Sequence, residues 1–282
     1  MNVLSLFDGI SAGRIALERA GVNVEKFYSS EIDEHAIKVT QRNHPSTIQL
    51  GDVTQVFSKN LPKIDLLIGG SPCQSFSKAG NGQGFDGKSG LFWDYVRILN
   101  EVKPTYFLLE NVIMKKEWED IITEALGVSP IRINSNLLSA QNRPRQYWTN
   151  IEGVEQPDDK GILLKDIILT SFDEKTGEEM KKMILSDKAN DYMGRLRNGK
   201  PRWEYHKNPL DGKAACLTAN MYKGVPYGVV KELGRRLHPI ECERLQTFPD
   251  GYTEGISMTQ RFKAIGNSWT VDVIAHIFKG LK

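Results

Sequence analysis

The sequence predicts an α/β domain built on a mostly parallel sheet. Three observations predict it. Short apolar runs alternate with helical-period stretches through the first half of the chain. Run after run closes on a glycine or an acidic residue, and the alternation stops near Glu152. Strands that alternate with helices pair in parallel and are covered on both faces.

The elements follow in order. "NVLSLF" is a first strand, and "SAGRIALERAG" is a helix with apolar residues at helical spacing and Gly21 as its C-cap. "VEKFYSS" leads into the helix "IDEHAIKVTQRNHP", with Asp33 near its start and Pro45 beyond its end. "STIQLGD", "KIDLLIGG" and "TYFLLENV" read as the third, fourth and fifth strands. "SPIRINSNLL" and "RQYWTNI" read as the sixth and seventh. Residues 155–235 are polar and turn-rich, and "SWTVDVIAHIFKGL" is an amphipathic closing helix.

Composition narrows the class. The 282 residues suffice for one large core or a core plus an appendage, with charged and aromatic fractions of an ordinary globular protein. A net charge of +2 neither demands nor excludes a nucleic-acid partner, so distribution decides. Between 188 and 236, Lys188, Arg195, Arg197, Lys200, Arg202, Lys207, Lys213, Lys223, Lys231, Arg235 and Arg236 face only Asp191, Glu204, Asp211 and Glu232. Tyr192, Trp203, Tyr205, Tyr222 and Tyr227 are interleaved with them, which suits a nucleic-acid surface as well as it suits a solvated loop region. No apolar stretch reaches the roughly 20 residues that span a bilayer. "MNVLSLFDG" lacks a signal-peptide pattern, and a cytoplasmic location is expected. Cys73, Cys216 and Cys242 are too far apart for a zinc motif or a disulfide framework, and no metal is expected.

In an open parallel sheet, ligands bind beyond the carboxyl ends of the strands. The first strand ends in the glycine turn "FDGISAG", the second in Glu31, the third in Asp52. A turn followed by acids at successive strand ends suits a nucleoside: one carboxylate accepts from ribose hydroxyls, another from an adenine amino group. The literal GxGxxG match at Gly82, Gly84 and Gly87 lies past a strand end and is set aside. The fourth strand ends in Pro72-Cys73, the fifth in Glu110-Asn111. A thiol acts as thiolate, favoured by nearby positive charge. Arg143 and Arg145 alternate, so a strand would put both on one face.

These residues carry a family pattern. The chain resembles the DNA cytosine-5 methyltransferases over nearly its whole length. "FDGISAG", "SPCQSFS", "LLENV", "QNRPRQYW", "RRLHPIECERLQTFPDGYT" and "AIGNSWTVDVIAHI" match six motifs in the family's order. Ser71-Pro72-Cys73-Gln74 replaces the Pro-Pro-Cys-Gln of many bacterial members and is closer to the animal de novo enzymes; His238 stands where relatives often carry Thr. The resemblance implies a Rossmann-like S-adenosylmethionine-dependent methyltransferase fold with a seven-stranded, mostly parallel sheet and a small target-recognition domain. It divides the chain into a catalytic and cofactor-binding domain at 1–154, a target-recognition region at 155–235 and a returning segment at 236–282.

It also implies roles. Cys73 would attack C6 of a flipped cytosine, C5 would take the methyl group of S-adenosylmethionine, and S-adenosylhomocysteine would leave. Glu110 would hold the N3 and amino edge, Arg145 the O2 carbonyl, and Arg143 would support it or a phosphate. Phe7, Gly9, Ile10, Glu31, Ile32, Asp52, Pro72, Leu91, Asn267 and Ser268 would bind the cofactor. Gln74, Ser77, Thr218, Asn220 and Arg235 would contact DNA. The expected partners are double-stranded DNA and a cognate restriction endonuclease, with the enzyme a monomer of bacterial or phage origin. Two alternatives stand beside this reading. A tRNA cytosine-5 methyltransferase would carry a Cys-Phe-Thr signature, for which "ACLTAN" is the nearest string. A catalytically silent DNA-binding module would have lost Cys73 or Glu110.

Overall fold

The computed structural model describes residues 1–72 and 88–281, the side chains of 88 and 89 excepted. Contacts divide the chain into two compact units: residues 1–134 with 144–156 and 271–282, and residues 135–143 with 157–270.

The first unit is a seven-stranded sheet. Its strands are β1 (Asn2–Leu6), β2 (Lys26–Ser30), β3 (Ile48–Gln49), β4 (Leu66–Gly69), β5 (Tyr106–Val112), β6 (Ile131–Asn134) and β7 (Pro144–Thr149). Their spatial order is β3-β2-β1-β4-β5-β7-β6. All neighbours are parallel except β7, which runs antiparallel to both β5 and β6. The chain reverses its direction of winding between β1 and β4, so the ends of these two strands flank the crevice where such sheets bind ligands.

Helices α1 (Ala12–Arg19), α2 (Glu34–Asn43), α3 (Phe92–Val102) and α4 (Lys116–Leu126) follow the strands. Asp33 caps α2 by accepting from the amides of His35 and Ala36. Ala20 takes the C-cap of α1, and the glycine expected there, Gly21, follows it at φ 73°. Leu4, Leu6, Leu67, Leu109 and Trp148 pack with Phe92, Tyr95 and Ile98 of α3 and Ile122 and Leu126 of α4. Val3, Leu66, Ile68 and Leu108 point to the opposite face and are fully buried too, as two-sided covering requires.

The second unit holds the irregular half of the sequence. It contains α5 (Leu164–Ile167), α6 (Glu174–Lys181), α7 (Asp187–Gly194), the hairpin β8 (Leu196–Arg197) and β9 (Lys200–Pro201), the pair β10 (Val229–Val230) and β11 (Arg235–Arg236), α8 (Pro239–Leu245) and α9 (Met258–Asn267). Ala140, Leu164, Leu217, Val230, Leu237, Cys242, Leu245, Phe262 and Ile265 form its core. That core explains a difference from the expected boundaries. Residues 236–270 supply five of its thirteen buried side chains and sit in the second unit; the chain rejoins the first at Val271. There the closing helix α10 (Val271–Phe278) packs on α1, with Arg19 bonded to Asp272 at 2.6 Å.

Candidate active site

The turn after β1 is held in an unusual backbone conformation. Phe7, Gly9 and Ser11 have φ of 56°, 60° and 57°, a region that non-glycine residues enter at a cost. Asp8, between them, is what holds the turn. Its carboxylate accepts from the hydroxyls of Ser5 at 2.5 Å, Ser29 at 2.9 Å and Ser11, which come from β1, β2 and the turn itself. The amide of Gly9 then donates to Glu31 at 2.7 Å, and those of Ile32 and Asp33 donate to the other Glu31 oxygen. The glycine turn and the acid of the second strand are thus one unit. Ile32 is 71 % exposed beside it. A carboxylate next to a bare apolar side chain fits the ribose and the purine face of a nucleoside. Asp52 is exposed and caps the next turn by accepting from the amide and hydroxyl of Thr54. Ile10 is fully buried, and Phe7 and Leu91 pack against the core.

Burial pushes the Asp8 carboxyl up from 3.8 to about 6, against the lowering effect of its three hydroxyl donors; the Glu31 charge adds to the rise. The folded chain therefore binds a proton that the unfolded chain releases between these values. Its contribution favours the fold below pH 3.8 and is lost as pH rises through about 6. Wild type should accordingly lose roughly 2 kcal/mol of stability between about pH 4.5 and 7.5 that the non-titrating Asp8→Asn variant does not lose. Urea unfolding of both proteins at the two pH values measures the difference.

At the end of β4, Gly69 lies where a Cβ would come within 3.0 Å of the Leu6 carbonyl and 3.1 Å of the Tyr95 ring. The close approach of β4 to its neighbours requires a glycine there. Ser71 follows, buried, and Asn111 of β5 donates to its hydroxyl at 3.1 Å and its carbonyl at 3.3 Å. Asn111 itself is 1 % exposed and accepts from the Val112 amide. The sequence placed Asn111 at a strand end without a role; the structure makes it the tether of the Ser71-Pro72 segment. Cys73, Gln74 and Ser77 lie outside the described residues. Asn111→Ala leaves the Ser71 hydroxyl and carbonyl without this partner, and a fall in kcat of about tenfold is expected, with a loss of about 1–2 kcal/mol in stability. Single-turnover kinetics beside urea unfolding separate the two effects.

Glu110 and Arg145 meet across β5 and β7. Arg145 stands opposite Val112, and its Nε donates to Glu110 Oε1 at 2.9 Å. Both side chains are largely buried, at 11 % and 13 % exposure. The pair presents an acceptor edge and a guanidinium side by side, the two functions needed to grip a planar, amide-like ring.

Arg143 does not join them. It and Arg145 were expected to share a strand face, but β7 begins at Pro144 and Arg143 belongs to the second unit. Its guanidinium is 3 % exposed and donates to the carbonyls of Leu217 at 2.7 Å, Ser268 at 2.8 Å and Gly266 at 3.2 Å. It is a strut whose two terminal nitrogens donate to backbone oxygens. Arg235, expected on DNA, is corrected likewise: it is buried and forms a two-pronged ion pair with Glu241, at 2.7 and 2.8 Å. A guanidinium committed to a buried carboxylate is not available to a phosphate. Ser268 is buried and Asn267 exposed, both in the second unit. Thr218 is exposed and accepts from the Asn220 amide at 3.3 Å. Among the described residues, no helix is long and apolar enough to cross a membrane.

Comparison with known proteins agrees with this geometry. The model of the C-5 cytosine-specific DNA methylase family matches residues 1–123 and 134–282. The type II methyltransferase M.NlaX of Neisseria lactamica is 31 % identical over 306 residues, covering 99 % of this chain and 96 % of its own. The type II methyltransferase M.FnuDI of Fusobacterium nucleatum is 30 % identical, covering 100 % and 94 %. In fold, the Entamoeba histolytica methyltransferase EhMeth superposes with a TM-score of 0.77 at 18 % identity, over 100 % of this chain and 99 % of that one. The resemblance carried by six ordered motifs and the seven-stranded sheet are therefore borne out, and the chain belongs to the C-5 cytosine-specific DNA methylase family.

Proposed function

We propose that this DNA cytosine-5 methyltransferase works through Cys73, Glu110 and Arg145 on a cytosine rotated out of duplex DNA. The observation that carries the assignment is the Glu110–Arg145 pair at 2.9 Å, with Glu110 next to Asn111 on β5, whose side chain tethers Ser71, two residues before Cys73. A stacked cytosine hides the face of C6, and taking it out of the helix costs a few kcal/mol. The Cys73 thiolate then adds to C6. The ring loses aromaticity, and its electron pair is available at C5. Glu110, in its protonated form, donates its proton to N3 and accepts from the amino group, so that charge does not build up on the ring, and the Arg145 guanidinium holds the O2 carbonyl. After methyl transfer a base removes the C5 proton, the C6–sulfur bond breaks and the thiolate is restored.

Enzymes of this family use S-adenosylmethionine, which when bound supplies the methyl group. The first unit fits its nucleoside: Glu31 would accept from ribose hydroxyls, Ile32 would cover the purine and Asp52 would accept from its amino group. Phe7, Gly9, Pro72 and Leu91 would line the rest; Ile10, expected to touch the cofactor, has no accessible surface and would support the turn from beneath. The basic second unit would read the target, and a cognate endonuclease would be a further partner. A duplex carrying 5-fluorocytosine tests the chemistry, because fluorine cannot leave as a cation and elimination stalls. A covalent protein–DNA adduct that requires both S-adenosylmethionine and Cys73 is the expected product. A methylated but uncrosslinked product would rule the thiol pathway out, and methylation of tRNA in preference to duplex DNA would move the substrate to RNA.

A further inference from the structure

The hairpin β8–β9 serves no core. Asn198 and Gly199 turn it at φ of 49° and 76°, the left-handed pair that a two-residue hairpin needs. Its register sets Arg197 opposite Lys200 and Leu196 opposite Pro201. One face of the ribbon thus carries two cations and the other an apolar pair. Like charges directly opposite each other in a two-stranded ribbon oppose its formation unless an anion lies between them. Residues 195–200 are all exposed, and Leu196 is 67 % exposed, although a leucine gains nothing from water.

The base of the ribbon, by contrast, is firmly held. Arg202 donates its amide to the Arg195 carbonyl at 3.2 Å and lies over the Tyr192 ring at 4.6 Å. Arg197 lies over the Tyr205 ring at 5.8 Å, and the Tyr205 hydroxyl donates to the Arg197 carbonyl at 2.8 Å. Tyr192 and Trp203 pack on the small core of Leu185, Met193 and Val229. Glu204 is held by Lys207 at 2.7 Å. Burial, followed by the Arg197 and Arg202 charges, lowers the pKa of His206 at the ribbon's root.

We propose that the hairpin from Arg195 to Arg202 is this enzyme's groove-entering element, lodging in the major groove of duplex DNA with Arg197 and Lys200 towards phosphates and base edges and Leu196 towards thymine methyl groups. The major groove, about 12 Å wide, admits a two-stranded ribbon, and arginine or lysine beside guanine is its commonest specific contact. A rigid root with a charged, exposed tip is what such insertion needs. The inference rests on the proposed function for its substrate, but it concerns a surface no residue of the catalytic site shares.

Its test is duplex binding by fluorescence anisotropy across a salt series, for wild type, R197A/K200A and the α6 control K181A/K182A. Methylation is assayed in parallel, and melting temperature with S-adenosylhomocysteine binding serves as the folding control. R197A/K200A should bind at least about tenfold more weakly, with a salt slope smaller by about two, while the α6 variant changes little. If binding falls this way and wild type methylates nothing, the hairpin assignment stands and the catalytic reading fails. Equal losses in both variants would reduce the effect to bulk charge and overturn the proposal. Unchanged affinity and slope in R197A/K200A would overturn it too, as would a wild type that does not bind duplex, or a loss confined to a tRNA probe.

Discussion

Cys73→Ala should transfer no measurable methyl group to DNA, a loss on the order of ten-thousandfold or more, while still binding S-adenosylhomocysteine. C5 of cytosine is a poor nucleophile in the aromatic ring. It becomes enamine-like only after a nucleophile adds at C6, the step assigned to the Cys73 thiolate. The cofactor turn stands on Asp8, Gly9 and Glu31, none of which depends on the thiol. Binding of the product should therefore survive, by calorimetry, with an affinity near that of wild type. Cys73→Ser probes the same point more finely: a hydroxyl is far less acidic, so the variant should be nearly as inactive despite its similar shape.

Arg143→Ala should have the largest effect on stability. The guanidinium is buried and ties the Leu217, Gly266 and Ser268 carbonyls together. Gly266 also lies so close to Thr218 that an added Cβ would fall 2.3 Å from its backbone. The end of α9 and the segment at Leu217-Thr218 are therefore pressed together, with Arg143 as their common donor. Its removal takes a charged donor from three buried carbonyls at once, for which a loss of about 3–5 kcal/mol and a melting temperature lower by about 10 °C are expected. Arg145→Ala should show the reverse weighting, a fall in kcat far larger than its loss of stability accounts for, because its partner Glu110 is the proposed holder of the base. An Arg143→Ala protein that melts like wild type but has lost kcat would return Arg143 to the substrate.

The contrast between these arginines shows where the sequence was legible. The sheet could be read because each strand is a compact apolar run and each turn has its own glycine or acid. Glu31, Glu110 and Arg145 could be read because they sit at strand ends. Arg143 and Arg145 looked equivalent because alternation assumes a continuous strand, and β7 starts between them. Arg235 looked like a DNA contact because its partner Glu241 lies six residues on, inside a helix whose burial is set by distant residues. Asp8 was passed over because its three hydroxyl donors come from β1, β2 and the turn, and only the fold brings them together. The second unit was least legible: residues 135–143 and 237–265 join its core from far apart in the chain, and no local periodicity records that.

The central claim is that this chain methylates cytosine at C5 in DNA through Cys73. Single-base cytosine conversion sequencing of DNA from methylation-deficient cells expressing wild type or Cys73→Ala tests it most directly. The account predicts cytosines protected in one sequence context with wild type and none with the variant. Soluble wild type that binds S-adenosylmethionine yet protects no cytosine, or protection that persists in Cys73→Ala, would contradict it.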